Sequence, residues 1–235
     1  MTQKLLYEGK AKKIFETENP SEVLVYFKDD ATAFNGAKKG QIHSKGLLNC
    51  AISTHFFQLL EENGIKTHFI KTIDERSMLV KRLTIIPLEV VLRNISAGSL
   101  AKRLGWPEGK VLESPVVEFY YKDDSLGDPL INDYHIAALR AATPSEVDEL
   151  AKTGLKINAI LKDYLLTRKV KLVDFKLEFG RDGTEILLGD EISPDTCRFW
   201  DADTDQKLDK DRFRQDLGQV EEAYQEIYNR LTRKN

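Results

Sequence analysis

Apolar and charged residues alternate without a break from residue 173 to residue 179. Val173, Phe175, Leu177 and Phe179 are set against Asp174, Lys176 and Glu178. A period of two predicts a strand with every apolar side chain on one face and every charge on the other. Residues two apart on a strand lie about 7 Å apart, so the polar face presents an ammonium between two carboxylates. Two readings are open for that face. It is a cradle for a metal ion and a phosphate, or it is a solvated face with a cross-strand ion pair.

Arg181-Asp182-Gly183 follows as a hairpin signal, and residues 185–191 read as the return strand, ending in Asp190 and Glu191. A two-residue Asp182-Gly183 turn pairs Asp190 with Phe175. A three-residue or bulged loop pairs Asp190 with Asp174 and Ile186 with Glu178. Only the second register lets Asp174, Glu178 and Asp190 surround one hard cation with oxygen ligands, as Mg²⁺ prefers.

Elsewhere the pattern predicts a strand-rich first third. Residues 5–7, 12–16 and 23–28 are short strands. Residues 47–60 form a helix closed by Asn63-Gly64, and residues 67–70 and 78–83 form two more strands. From residue 84 the pattern changes. Residues 88–94 read as a strand, 96–104 as a short helix stopping at Gly105, and 116–121 as another strand. Thr143-Pro144-Ser145-Glu146 is a capping box that opens a helix running to about Thr167. Phe213, Leu217, Val220, Tyr224, Ile227 and Leu231 recur at helical spacing and predict one amphipathic terminal helix. Two units follow from this change, a β-rich lobe over residues 1–83 and an α/β lobe over residues 84–235.

Composition narrows the class. The 235 residues carry a net charge of −3, which provides no overall field for nucleic acid, and no RNP-like aromatic motif is present. Cys50 and Cys197 are far apart, and His43, His55, His68 and His135 lack zinc-ligand spacing. A reducing, cytoplasmic setting is expected. The first 15 residues lack a signal-peptide core, and no apolar run approaches the roughly 20 residues of a membrane span.

The remaining candidate chemistry concerns phosphate. Gly9-Lys10-Ala11-Lys12-Lys13 sits between two strands, where glycine admits a ligand to the backbone and lysines reach phosphate oxygens; a solvated basic hairpin is the plainer account. Arg93 ends a strand, and Ser96 is placed as N-cap with the amides of Gly98 and Ser99 behind it. That is an anion site, or a plain cap with a surface arginine. The segment from Lys122 to Pro129 is an acidic turn with one base, a surface loop unless other residues converge on it. Asp195, Arg198, Phe199, Trp200, Asp201, Asp203 and Asp205 are candidates for a cleft rim, and Arg214 lies beside the apolar stripe. Together these suggest ATP-dependent chemistry on a phosphorylated small molecule.

Residues 87–99 (Pro87 through Arg93 to Ala97-Gly98-Ser99) and 172–180 closely resemble the two hallmark motifs of the SAICAR synthetase family. Tyr7-Glu8-Gly9-Lys10-Ala11-Lys12, Gly189-Asp190-Glu191 with Ser193-Pro194-Asp195, and residues 209–214 resemble other parts of it, in order and across the chain. The resemblance implies a two-lobed α/β (α+β) fold of largely antiparallel sheets with flanking helices, related to ATP-grasp and protein-kinase architectures. It implies ligation of L-aspartate to the aminoimidazole carboxylate ribonucleotide CAIR, with ATP as co-substrate, to give SAICAR, ADP and phosphate. By the same resemblance, Gly9, Lys10, Ala11 and Lys12 contact the ATP phosphates, Val80 and Lys81 border the adenine, and Lys122 lies on the ATP side. Glu178 and Asp190 hold Mg²⁺. Arg93, Ser99 and Arg198 take the CAIR phosphate, while Asp128, Asp174 and Lys176 surround the reacting carboxylate. Arg214 binds L-aspartate, and the enzyme is a homodimer. Some members carry Asp where this chain has Asn35, so only a hydrogen-bonding role carries over there.

Two other classes compete. A phosphotransferase acting on a phosphorylated small molecule would share these sites but need no amine. It is not of the protein-kinase kind, because no H-R-D loop is present and Asp174-Phe175 is followed by Lys176. A non-catalytic nucleotide-binding module would not need several acids crowded at one place.

Overall fold

The computed structural model describes residues 4–33 and 36–233; Asn35 therefore lies outside the described residues. The chain opens with strands β1 (Leu5–Glu8), β2 (Lys12–Glu16), β3 (Glu22–Phe27), β4 (Asp30–Ala33) and β5 (Lys38–Gln41). Helix α1 (Lys45–Glu62) and strands β6 (Phe69–Asp74) and β7 (Ser77–Lys81) follow. Then come β8 (Thr84–Ile95), α2 (Gly98–Leu104), β9 (Val111–Tyr121), β10 (Leu130–Ile131), α3 (Asp133–Leu139) and α4 (Pro144–Thr167). The last elements are β11 (Val170–Asp182), β12 (Glu185–Leu188), β13 (Cys197–Asp201), α5 (Asp211–Arg214) and α6 (Val220–Thr232).

β1, β2, β3, β7 and β6 pair in that order into one antiparallel sheet, and every strand of it precedes residue 84. β10, β9, β8, β11 and β12 form a second antiparallel sheet, with β13 also paired to β11. β4 and β5 form a separate ribbon. Neither they nor α3 stands out in the sequence, because Asp30-Ala-Thr-Ala and Lys38-Lys-Gly-Gln offer too little apolar periodicity.

Local signals explain most elements. In β3, Val23, Val25 and Phe27 are buried on alternate positions. Thr143 and Glu146 cap each other's backbone amides at the start of α4, with Pro144 in its first turn. Asn63 and a left-handed Gly64 (φ +75°) end α1.

One apolar core runs through both sheets. Phe56, Phe57 and Leu60 of α1 and Leu150, Ile157, Leu161 and Leu165 of α4 pack into it with Phe175, Leu177 and Phe179 of β11. Val173 departs from this set. It packs with Ile95, Ala97 and Trp200, beyond an irregularity in the β11–β13 pairing at residues 172–174.

The single terminal helix is corrected. The chain breaks between α5 and α6, where Asp216, Gly218 and Gln219 all take positive φ (55°, 69° and 50°). A left-handed run cannot continue a right-handed helix. Phe213 and Leu217 therefore leave the stripe, and Leu217 is exposed, while Tyr224, Ile227 and Leu231 keep it on α6.

Candidate active site

The carboxylates on the charged face of β11 are buried, and Lys176 between them is only partly exposed. Asp174 and Glu178 are 3% and 5% exposed, and buried carboxylates need partners. The antiparallel register supplies them. Asp174 lies opposite Arg93 of β8 and Arg198 of β13, and Glu178 lies opposite Glu89 of β8. Because side chains alternate, Glu89 and Arg93 share the face of β8 that adjoins this row.

Arginines gather at one end. Arg93 Nη1 donates to Asp174 (2.7 Å), its Nε to Glu118 (2.7 Å), and its Nη2 to Ser99 Oγ (3.0 Å) and the Tyr120 hydroxyl (3.1 Å). Arg198 Nη1 donates to both oxygens of Asp174 (3.0 and 2.9 Å), and its Nε to Asp211 (2.8 Å). Arg214 Nη1 donates to the other Asp211 oxygen (2.6 Å). Gly98 makes room for Arg198. It sits at φ +52°, and a Cβ there would lie 2.5 Å from the guanidinium.

Lysines gather at the other end. Lys176 Nζ donates to Glu89 (2.6 Å) and Glu178 (2.9 Å), and Lys122 also reaches Glu178 (2.9 Å). Lys12 pairs with Asp190 and with Glu191 (2.9 Å), and Lys10 with Asp124 (2.7 Å). Burial opposes the charge of Lys176, but Glu178 and Glu89 outweigh it and hold the ammonium well above the usual lysine range. Burial likewise opposes the charge of Lys12, and Asp190 and Glu191 overcome it. Burial would raise Asp190, yet Lys12 and Lys176 hold it below the usual carboxylate range. For Glu89 burial wins over Lys176, and its carboxyl is shifted up.

Neither expected hairpin register occurs. The turn residues are Gly183 and Thr184, which pairs Asp182 with Glu185 and Phe179 with Leu188. The ladder ends there. Gly189 N still donates to Glu178 O (2.9 Å), and Asp190 then turns out of the strand at φ 56°. That turn brings Asp190 to Lys12. The cradle of Asp174, Glu178 and Asp190 is therefore corrected, because Asp174 belongs to the arginines. Among the described residues, no three of His, Cys, Asp and Glu gather as a metal-holding group.

Other expectations change too. Ser96 is not the cap of α2. Ala97 holds that position, and the Ser96 hydroxyl donates to Pro107 O (2.6 Å) and accepts from Lys110 N (2.9 Å). Phe199 and Trp200 are core residues, not a rim. Asp201, Asp203 and Asp205 pair with Arg230, Lys169 and Lys171 and do not line the cavity described next. Lys122 and Asp128 exceed a plain surface loop, since Lys122 joins Glu178 and Asp128 lines the cavity.

A cavity of about 450 Å³ opens along the arginine end and reaches Lys176, Glu89 and Lys10 of the lysine end. Lys10, Thr32, Ala33 and Gly36 line it from the first strands, and Glu89, Arg93, Ser99, Asp128, Asp174, Lys176 and Arg198 from the second sheet and its loops. Asp195, Lys210 and Arg214 close it from the C-terminal segment. Gly9, Ala11, Lys12, Val80, Lys81, Lys122, Glu178 and Asp190 do not line it. Val80 is core, and Lys81 pairs with Asp182. Sequence reasoning gave no role to Glu89, Glu118, Tyr120, Lys45 or Lys210. Glu89 and Arg93, four residues apart and so on one face of a strand, carried a signal for the first of these. The others come together only through packing.

A cavity walled by paired lysines and arginines, reached from two sheets, has the chemistry of a protein that handles phosphate-bearing small molecules. The family model for SAICAR synthetase matches residues 5–231. Phosphoribosylaminoimidazole-succinocarboxamide synthase of Clostridium novyi (strain NT) is 58% identical over 99% of both chains. That of Chlorobium phaeobacteroides (strain DSM 266) is 60% identical over 97% of this chain and 96% of its own. The crystal structure of the Ehrlichia chaffeensis synthase superposes with a TM-score of 0.96 at 47% identity, covering 99% of this chain and all of that one. A SAICAR synthetase in complex with ADP superposes at 0.94 with 53% identity, covering 97% of each. The chain belongs to the SAICAR synthetase family and is an ATP-dependent ligase.

Proposed function

We propose that this ligase joins L-aspartate to the carboxylate of CAIR, turning ATP into ADP and phosphate and yielding SAICAR. The observation that carries the reading is the charged row of β11, with arginines around Asp174, lysines around Glu178, and Lys176 between them. A nucleotide at the lysine end and a ribonucleotide phosphate at the arginine end would bring their reactive groups toward Lys176.

On this reading Gly9, Lys10, Ala11, Lys12 and Lys122 take the ATP phosphates, and Val80 and Lys81 border the adenine. Arg93, Ser99 and Arg198 hold the CAIR phosphate, Asp128, Asp174 and Lys176 surround its carboxylate, and Arg214 receives L-aspartate. Residues 1–83 act as the nucleotide lobe and residues 84–235 as the substrate and metal lobe. Glu178 and Asp190 fit Mg²⁺, which takes one or two carboxylates plus substrate phosphates, and here both donors are oxygens beside the phosphate lysines. When bound, Mg²⁺ offsets charge on the transferring phosphoryl group. No helix among the described residues is long and apolar enough to cross a membrane. The reading takes the enzyme as a cytoplasmic homodimer.

The chemistry follows from leaving groups. A carboxylate is a poor acyl donor because oxide leaves badly. A carboxylate oxygen of CAIR takes the γ-phosphoryl group as its bond to ADP breaks, which gives an acyl phosphate. The amine of L-aspartate then bonds to the acyl carbon, phosphate departs, and the nitrogen loses a proton. Lys176 offsets the negative charge of the transferring group.

The test is phosphate release by purified protein with Mg-ATP, omitting CAIR or L-aspartate in turn. Release that needs both, with SAICAR formed in equal amount, is expected. Release with CAIR alone, and no SAICAR from the full mixture, overturns the ligase reading.

A further inference from the structure

Helix α1 buries a polar stripe that the roles above leave unused. Lys45, Asn49 and Ser53 are four residues apart and so share one side of the helix, and each is 0% exposed. All three meet the segment between β12 and β13. Lys45 Nζ donates to Asp195 Oδ2 (2.7 Å), Asn49 Nδ2 to Glu191 Oε2 (3.4 Å), and Ser53 Oγ to Ile192 O (3.2 Å). The remaining Asp195 oxygen accepts the Tyr224 hydroxyl of α6 (2.6 Å).

Stability is a poor explanation for this arrangement. A buried ion pair recovers little more than its desolvation cost, and apolar side chains of similar volume would hold α1 at least as well. What the stripe provides is a fixed position for Asp195, which lines the cavity. Lys210 also lines the cavity, with Arg214 one helical turn further on. Its ammonium is 3.5 Å from the oxygen that Lys45 holds at 2.7 Å. Lys45 and Tyr224 therefore take the short contacts of Asp195, and Lys210 keeps the long one. Burial, with Lys45 and Arg214 adding to it and Asp195 opposing, disfavours the charge of Lys210. An anion arriving beside Lys210 would relieve that cost.

We propose that Lys45 and Tyr224 are positioning residues: by satisfying Asp195 they keep Lys210 at the cavity wall for an anionic group of the amine substrate. The inference rests on the ligase reading above. Without Lys45 or the Tyr224 hydroxyl, Asp195 draws Lys210 into a short pair and away from the cavity. Neither residue touches substrate.

The test compares Lys45→Met, Lys45→Arg and Tyr224→Phe in steady-state ligation, varying ATP, CAIR and L-aspartate separately, with melting temperatures measured alongside. Tyr224→Phe removes one oxygen and keeps the ring, so it remains informative where Lys45→Met folds poorly. The expected result is a KM for L-aspartate raised about 10-fold in Tyr224→Phe and Lys45→Met. The KM values for ATP and CAIR stay within about twofold, and Lys45→Arg recovers most of the loss. Unchanged KM values per folded enzyme, with only a lower melting temperature, overturn the proposal and leave the stripe structural. An unsubstituted enzyme that forms no SAICAR overturns the ligase reading itself, which is a different result.

Discussion

The two ends of the charged row on β11 solve one electrostatic problem with different cations. Around Asp174 the partners are Arg93 and Arg198, and Arg198 and Arg214 also share Asp211. Around Glu178 and Asp190 the partners are Lys12, Lys122 and Lys176. A guanidinium is a planar fork that engages two acceptors at once and holds their geometry. An ammonium is a compact charge on a flexible stem that exchanges partners at little cost. On the proposed reading, the arginine end would hold one phosphate in one place, and the lysine end would trade carboxylates for the phosphates of a nucleotide that changes during the reaction.

Glu178→Gln should be the most damaging. Lys122 and Lys176 both donate to this buried carboxylate, so the substitution removes the anion these two lysines share. Turnover measured as coupled phosphate and SAICAR release should fall about 10²- to 10³-fold, with folding retained. A binding module would keep its nucleotide affinity and have no turnover to lose. Arg93→Lys probes the other end. It preserves the charge but replaces a fork that meets Asp174, Glu118, Ser99 and Tyr120 with a point charge. The KM for CAIR should rise about 10- to 100-fold while that for ATP stays level. A KM for ATP that rises equally would erase the distinction between the ends.

The smallest effect is a control outside both ends. The Arg181 guanidinium holds Glu146 down to about 2; burial opposes this, and bonds from Thr143 add to it. A carboxyl lowered in the folded state contributes stability above its unfolded value of about 4.3, and that contribution is lost as pH falls through about 2. The pair is partly exposed, so the contribution should be below about 1 kcal/mol. Urea midpoints between pH 5 and pH 2 should fall slightly less steeply for Glu146→Gln than for the parent. The ligation rate should not change.

Much of this molecule is legible along the chain where the cause is local. The β11 alternation, the capping box at Thr143, the glycine stop after α1 and the family motifs each depend on residues a few positions apart. Chain order alone therefore determined the strand that carries Asp174, Lys176 and Glu178, the long helix α4 packed behind it, and the class of chemistry. Tertiary structure decided which charges meet. The turn at Gly183-Thr184 set a register that no residue count distinguished, and the left-handed Asp190 then left the ladder for Lys12, far away in sequence. Asp174 went to the arginines because β8 and β13 flank it on both sides. Lys45 sits on a helix side that reads as ordinary amphipathic surface, yet packing against residues 191–195 buries it completely. The physical reason is the same in each case. Periodicity reports which face a side chain takes, whereas a buried charge is settled by whichever opposite charge the packing brings within about 3 Å.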